Sequence, residues 1–171
     1  MELFKAIRTR RSIRSFRPDP VEDKKLEKVL QSGIDAPSAG NLQGRDFYVF
    51  RRGENREKLA EIAFGQGFVA EAPVVIVVCA NESRSSARYK SRGKSLYSIQ
   101  DASIAIENML LAAHALGLGT CWVGAFDEDK LSKEFSLPSG VRPIAIIPLG
   151  YPAQKPTKPA RLLTKDVVHY D

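Results

Sequence analysis

The run "APVVIVVCA", Ala72 to Ala80, constrains the fold more than any other segment. A strand with one wet face alternates apolar and polar residues. This one is apolar throughout and rich in β-branched residues, so both of its faces must be buried. It is too short to cross a membrane. The chain therefore needs a sheet with a layer of structure on each side. "RPIAIIPLGYP" (Arg142 to Pro152) reads as a second buried strand. "DFYVF" (Asp46 to Phe50) reads as another strand, and "TCWVGAF" (Thr120 to Phe126) as a strand followed by a turn.

Helical spacing supplies the covering layers. Residues 2 to 11 read as a short helix with Leu3, Phe4 and Ile7 on one face. Residues 21 to 33 read as a second, with Gly33 as its stop. Residues 54 to 64 and 127 to 135 read as further helices, the latter capped by Asp127. Residues 95 to 116 read as the longest, with Leu96, Ile99, Ser103, Ile106, Leu110 and Ala113 at a helical step. Residues 35 to 45 are dense in Pro, Ser, Gly and Asn and read as a loop. Residues 83 to 94 are polar and cationic without a period and read as a mobile excursion. The tail, residues 153 to 171, offers little core and needs a surface to lie on. Strands and helices do not alternate as βαβ units. No G-x-G-x-x-G follows the first strand and no Walker sequence is present, which argues against an ordinary dinucleotide fold or P-loop. The expected class is α+β, a central mixed or antiparallel sheet flanked by helices.

Catalytic constellations are scarce. Cys79 and Cys121 are far apart, with no zinc or disulfide spacing, and read as small core residues. His114 and His169 have no acidic or Cys partner at catalytic spacing and read as structural. Gln100 and Asp101 are candidates for buried polar caps. No metal site and no Ser-His-Asp set is expected. The N-terminus lacks a secretory h-region, so the expectation is a cytoplasmic protein.

Charge is concentrated instead. "RTRRSIRSFR" carries five arginines between Arg8 and Arg17. The net charge of +6 permits an acidic partner without demanding nucleic acid. Guanidinium groups bind phosphate through paired, charge-assisted hydrogen bonds, and Ser12 adds a hydroxyl. The alternatives are a solvated charge run and a nucleic-acid-binding module. The latter needs aromatic stacking platforms, and only Phe16 stands near.

In order along the chain, "RRSIRSF", "APSAGNLQ", "GLGTCWVGAFD", "IPLGYP" and a basic tail resemble the FMN-dependent nitroreductase family over essentially the whole length. The resemblance implies one FMN-binding domain over residues 1–171, with a tail from about residue 153 wrapping a partner subunit in an intertwined homodimer. It implies FMN as cofactor and NADH or NADPH as donor, with a small-molecule acceptor such as a nitroaromatic or quinone. Neither nucleic acid nor membrane is an implied partner. Arg10, Arg11, Ser12 and Ile13 would lie along the phosphate and ribityl end, and Arg14 at the pyrimidine edge of the ring. Pro37, Ser38 and Ala39 would come from the partner subunit, while Asn41 and Gln43 offer amides either to the ligand or to brace the loop. Val123, Gly124 and Ala125 would present backbone N–H groups beside the ring, with Trp122 either lining the site or in the core. Arg161, and less closely Lys158, would close on the phosphate. Gln66 could replace one contact found in longer members. No side chain is assigned as catalytic, since the flavin does the chemistry. Other tasks open to the same frame are reductive dehalogenation, flavin-consuming chemistry, and flavin binding without turnover.

Overall fold

The computed structural model describes residues 1–171. In chain order it forms α1 (Leu3–Thr9), α2 (Asp23–Ile34), β1 (Arg45–Phe50), α3 (Gly53–Ile62) and α4 (Phe68–Glu71). There follow β2 (Val74–Asn81), α5 (Glu82–Arg92), α6 (Ser98–Ala115), β3 (Gly119–Thr120), α7 (Glu128–Glu134), β4 (Val141–Gly150) and α8 (Thr164–Val167). The four strands make one sheet in the order β1-β2-β4-β3, antiparallel throughout. A bulge between Val78 and Cys79 shifts the β2–β4 register.

Burial on both faces of β2 follows from its lack of alternation. Val74, Ile76, Val78 and Ala80 join the core under α2 and α6, with Ile106, Met109 and Ile147. Val75, Val77 and Cys79 join the opposite core under α3 and α7, with Leu59, Leu131 and Ile146. Truncating Ile76 or Ile146 to Ala would open a cavity in one layer and cost about 2–5 kcal/mol. Both cysteines are free and buried. Burial pushes the Cys79 thiol up to about 12, so it stays protonated. No helix is long and apolar enough to cross a membrane.

Several elements depart from the sequence expectation. Gly33 is not a stop but lies inside α2, where a Cβ would come within 2.9 Å of Met109 and 3.0 Å of Phe47. It is a point of close helix approach. Residues 83 to 94 are no irregular excursion. They form α5 and run through a π-helical turn (Gly93–Tyr97) into α6. The lack of an apolar period reflects how little of α5 is buried; Ser85 is its one buried residue. Of Thr120 to Phe126, only Thr120 is in a strand, and Val123 makes an isolated bridge to Ile146. Leu3, Phe4 and Ile7 share a face, but it faces solvent, with Phe4 66% exposed.

Candidate active site

The arginine segment is held by its backbone. α1 ends as Arg10 turns extended, at φ −55° and ψ 137°. The chain then runs along β3, where the Ile13 N–H donates to the Thr120 carbonyl at 2.8 Å. Ile13 packs so tightly on Gly119 that a Cβ there would lie 2.7 Å from Cγ1 of Ile13. Further on, Arg17 N–H donates to the Tyr151 carbonyl, and Ala153 N–H to that of Ser15, both near 2.9 Å. The segment is thus clamped between β3 and the end of β4. Ile13 is therefore an inward anchor, with its amide and side chain both used inside the chain.

On this frame Arg10, Arg11, Ser12 and Arg14 line a pocket of about 320 Å³, completed by Pro156, Thr157, Pro159 and Arg161 of the tail. None of the lining residues is acidic. The nearest carboxylate to Arg10 is Glu107, at a loose 3.8 Å. Arg11 donates to the carbonyls of Arg8 and Arg10, at the end of α1. Arg14 has no ion-pair partner. Arg161 donates only to its neighbour Ala160. Solvated arginines spread apart to reduce repulsion. Four guanidiniums on one hollow without a carboxylate give it the charge and donor set that suit an anion. Lys158 is exposed and lies outside the lining.

The strand end at residues 121–125 adjoins this segment. Cys121 is buried next to Ser12 and Arg14; burial raises its thiol pKa, while Arg14 and Ser12 pull it down. The Val123 N–H is spent on the Ile146 carbonyl at 3.0 Å, so it cannot serve a ligand as expected. Gly124 and Ala125 are exposed, and their N–H groups have no acceptor in the chain. A Cβ on Gly124 would meet only the Trp122 indole, at 3.6 Å. Nothing inside the chain therefore demands a glycine there, and the space before its backbone is open. Trp122 is 39% exposed and lies alongside Gly124, not in the core. Gln66 braces this turn, donating to the carbonyls of Ala63 at 2.8 Å and Ala125 at 3.1 Å.

The loop from Pro37 to Gly44 stands apart. Pro37, Ser38 and Ala39 line a different cavity of about 570 Å³, together with Tyr97, Ile99, Gln100, Asp101, Ser103 and Ile104. It shares no residue with the arginine pocket. Gly40, Asn41 and Gln43 all have φ between 51° and 56°, a conformation that needs outside support in residues other than glycine. Asp101, 2% exposed on α6, supplies it by accepting from Ala39 N–H at 2.9 Å and Gly44 N–H at 3.2 Å. Ser38 Oγ accepts from Gln43 N–H at 2.9 Å. Arg45 donates to the carbonyls of Ile34 and Ala36. The side-chain amides of Asn41 and Gln43 are exposed and not used within the chain.

Asp101 is thus the buried cap anticipated from the sequence, while Gln100 is exposed. A carboxylate within an apolar, alanine-rich stretch was the signal for Asp101. Arg45 and Thr157 were missed, and no local pattern marks either. His114 contacts Thr9 Oγ1 through Nε2 at 2.8 Å. Since Thr9 donates its proton to the Lys5 carbonyl, Nε2 must carry the hydrogen in this contact. Burial, then the charges of Arg10 and Arg11, lower the His114 pKa.

The family model described as "Nitroreductase family" matches residues 7–70 and 64–151. A protein of Methanothermobacter thermautotrophicus named "Putative NADH dehydrogenase/NAD(P)H nitroreductase" is 40% identical over 160 residues, 91% of this chain and 80% of the relative. The "FMN reductase [NAD(P)H]" of Bacillus subtilis is 30% identical over 183 residues, covering 99% and 74%. Among solved structures, the NADPH:FMN oxidoreductase of Vibrio harveyi complexed with NAD+ superposes with a TM-score of 0.91 at 28% identity. That match covers 99% of this chain and 76% of the Vibrio chain.

Proposed function

The chain belongs to the nitroreductase family, and we propose that it is an FMN-dependent NAD(P)H oxidoreductase reducing small electrophilic acceptors such as nitroaromatics or quinones. The observation that carries this reading is the convergence of Arg10, Arg11, Arg14 and Arg161 on one acid-free pocket. The residues fit FMN: guanidiniums and the hydroxyls of Ser12 and Thr157 suit a phosphate dianion. The free amides of Gly124 and Ala125, with no side chain at Gly124, leave backbone donors open to a flat ring. FMN, when bound, supplies a two-electron carrier that lets donor and acceptor use one site in turn.

The protein's own part is binding, orientation and charge. Arg10, Arg11, Ser12 and Arg161 would hold the phosphate, and Ile13 keeps their register through Thr120 and Gly119. Arg14 is the guanidinium we assign to the pyrimidine edge of the ring, where a fixed cation favours the electron-rich form. Trp122 would flank the ring, and Gln66 holds the carbonyl of Ala125. No side chain is assigned as proton donor; water can serve in an open site.

The site is completed by a second copy of the chain. In one chain the loop at Pro37–Ala39 and the arginine pocket line separate cavities, which supports a loop contributed by the partner. The apolar face of α1 is bare. The tail is exposed almost throughout and carries Leu162, Leu163, Val167 and Tyr170, the last 87% exposed. Such a surface asks for a partner.

The test is the visible spectrum of the purified protein. It should be yellow with one FMN per chain, bleach on NAD(P)H addition, and regain colour with a quinone or nitroaromatic. A colourless protein that takes up no added FMN contradicts this reading.

A further inference from the structure

The segment from Glu82 to Tyr97 is paired at its base and bare at its tip. Arg84 meets Asp46 at 3.0 Å, and Lys94 meets Glu82 at 3.7 Å. Arg88, Lys90 and Arg92 have no carboxylate partner. Two of these cations are nonetheless ordered by aromatic rings. Arg88 lies 5.4 Å from the Tyr89 ring centre and Arg92 lies 5.3 Å from that of Tyr97. The rings themselves meet edge to face at 5.0 Å, and Arg92 Nε donates to the Tyr97 hydroxyl at 2.9 Å. Lys90, at φ 50° and ψ −134°, bends the segment, and the π-turn follows it. Strained residues and π-turns of this kind concentrate at functional segments.

This tip sits on the loop that lines the second cavity. A Cβ on Gly40 would stand 2.5 Å from the Tyr89 hydroxyl and 3.1 Å from Nη1 of Arg88. Tyr97 itself lines the cavity, together with Ile99 and Ile104. The cavity is thus lined by aliphatic and aromatic groups and by the Asp101 carboxylate, which is taken up by two loop amides, while Arg92 and Arg88 stand just outside the lining, at the Tyr97 hydroxyl and beside Gly40. Its volume of about 570 Å³ holds a substituted benzene ring with room to spare.

We propose that Arg88 and Arg92 are specificity-determining residues that make the enzyme prefer aromatic acceptors bearing a carboxylate or sulfonate. The inference rests on the proposed function, which brings this loop to the flavin of the partner. The ring of such an acceptor would lie against Tyr97 and Ile104, with its anionic group reaching past the lining to the guanidiniums beside Tyr97 and Gly40. A neutral acceptor of the same shape keeps the ring contacts and loses the charge-assisted ones.

The test compares para-nitrobenzoate with its methyl ester in the unaltered protein and in Arg88→Gln and Arg92→Gln. Comparing ratios between proteins cancels the intrinsic reactivity of the two nitro groups. The ratio of kcat/KM for acid over ester should fall roughly fivefold in each variant, the scale of an exposed charge contact. Benzoate, which is not reduced, should bind the variants more weakly by calorimetry, and Arg92→Lys should restore part of the loss. Proteins that hold FMN and reduce the ester, yet show one ratio and one benzoate affinity throughout, overturn the inference and leave the function standing. A protein that holds no FMN overturns both.

Discussion

The loop from Pro37 to Gly44 and the segment from Arg10 to Arg14 use their polar groups in opposite ways. In the loop the backbone and the side chains of Ser38, Asp101 and Arg45 are consumed inside the chain, and only the amides of Asn41 and Gln43 are left over. Asp101 takes two backbone N–H groups, Ser38 takes a third, and Arg45 holds the carbonyls that lead into it. In the arginine segment the backbone is held through Thr120, Arg11 reaches only the carbonyls at the end of α1, and no guanidinium has a close carboxylate. The first region is therefore a shape, and the second is a charge on a rigid mount. A shape is broken by loss of stability. A charge is broken by loss of ligand, with the fold intact.

The largest effect should come from breaking the shape. Asp101→Ala strands two amides at least partly buried beneath the loop, and removes the nearby negative charge that favours the charged form of buried Arg45. Unfolding free energy should fall by about 2–4 kcal/mol in chemical denaturation. A loss near zero would mean the loop is held by other contacts. Next is the charge. Arg10→Ala should weaken FMN binding by about 1.5–3 kcal/mol. Its unfolding midpoint without FMN should stay within about 0.5 kcal/mol of the parent. If Arg10→Ala unfolds the protein as Asp101→Ala does, the contrast between the regions is false.

Two smaller effects sharpen the contrast. Arg14→Gln should lower the midpoint potential of bound FMN by some tens of millivolts, where about 30 mV equals roughly 1.4 kcal/mol for two electrons. Arg10→Ala should leave that potential nearly unchanged. Dye equilibration separates the two roles, and the reverse order of effects would refute the assignment. The smallest effect is on His114. Burial and the charges of Arg10 and Arg11 hold its folded pKa below the ordinary value, so folding favours the neutral ring. That stabilisation is present above the ordinary pKa and is lost as pH falls through it toward the folded value. Inorganic phosphate in the pocket offsets the arginines and should raise the His114 pKa, as should Arg10→Ala. An NMR titration that does not move with phosphate would place the anion elsewhere.

What could be read from the sequence follows the range of the interaction. β2 and α6 were legible because burial on both faces, or on one helical stripe, leaves a local period. The arginine segment was legible because repulsion makes such crowding rare without an anion. α5 was not, since it buries only Ser85 and carries no apolar period. Gly33 was misread because a glycine near a helix end looks like a stop, while its cause is Met109, distant in sequence. Val123 was misassigned because its partner, Ile146, lies across the sheet. Asp101 was legible as a buried cap from its apolar, alanine-rich surroundings, while the role of Arg45 depends on contacts with Ile34 and Ala36 that no local pattern records.

The account turns on a flavin held by the arginines of one chain and covered by the loop of another. Sedimentation velocity recorded together at the protein and flavin absorption bands tests this most directly. The account predicts one boundary at the mass of a dimer, carrying one FMN per chain. A monomer with full FMN occupancy would contradict it.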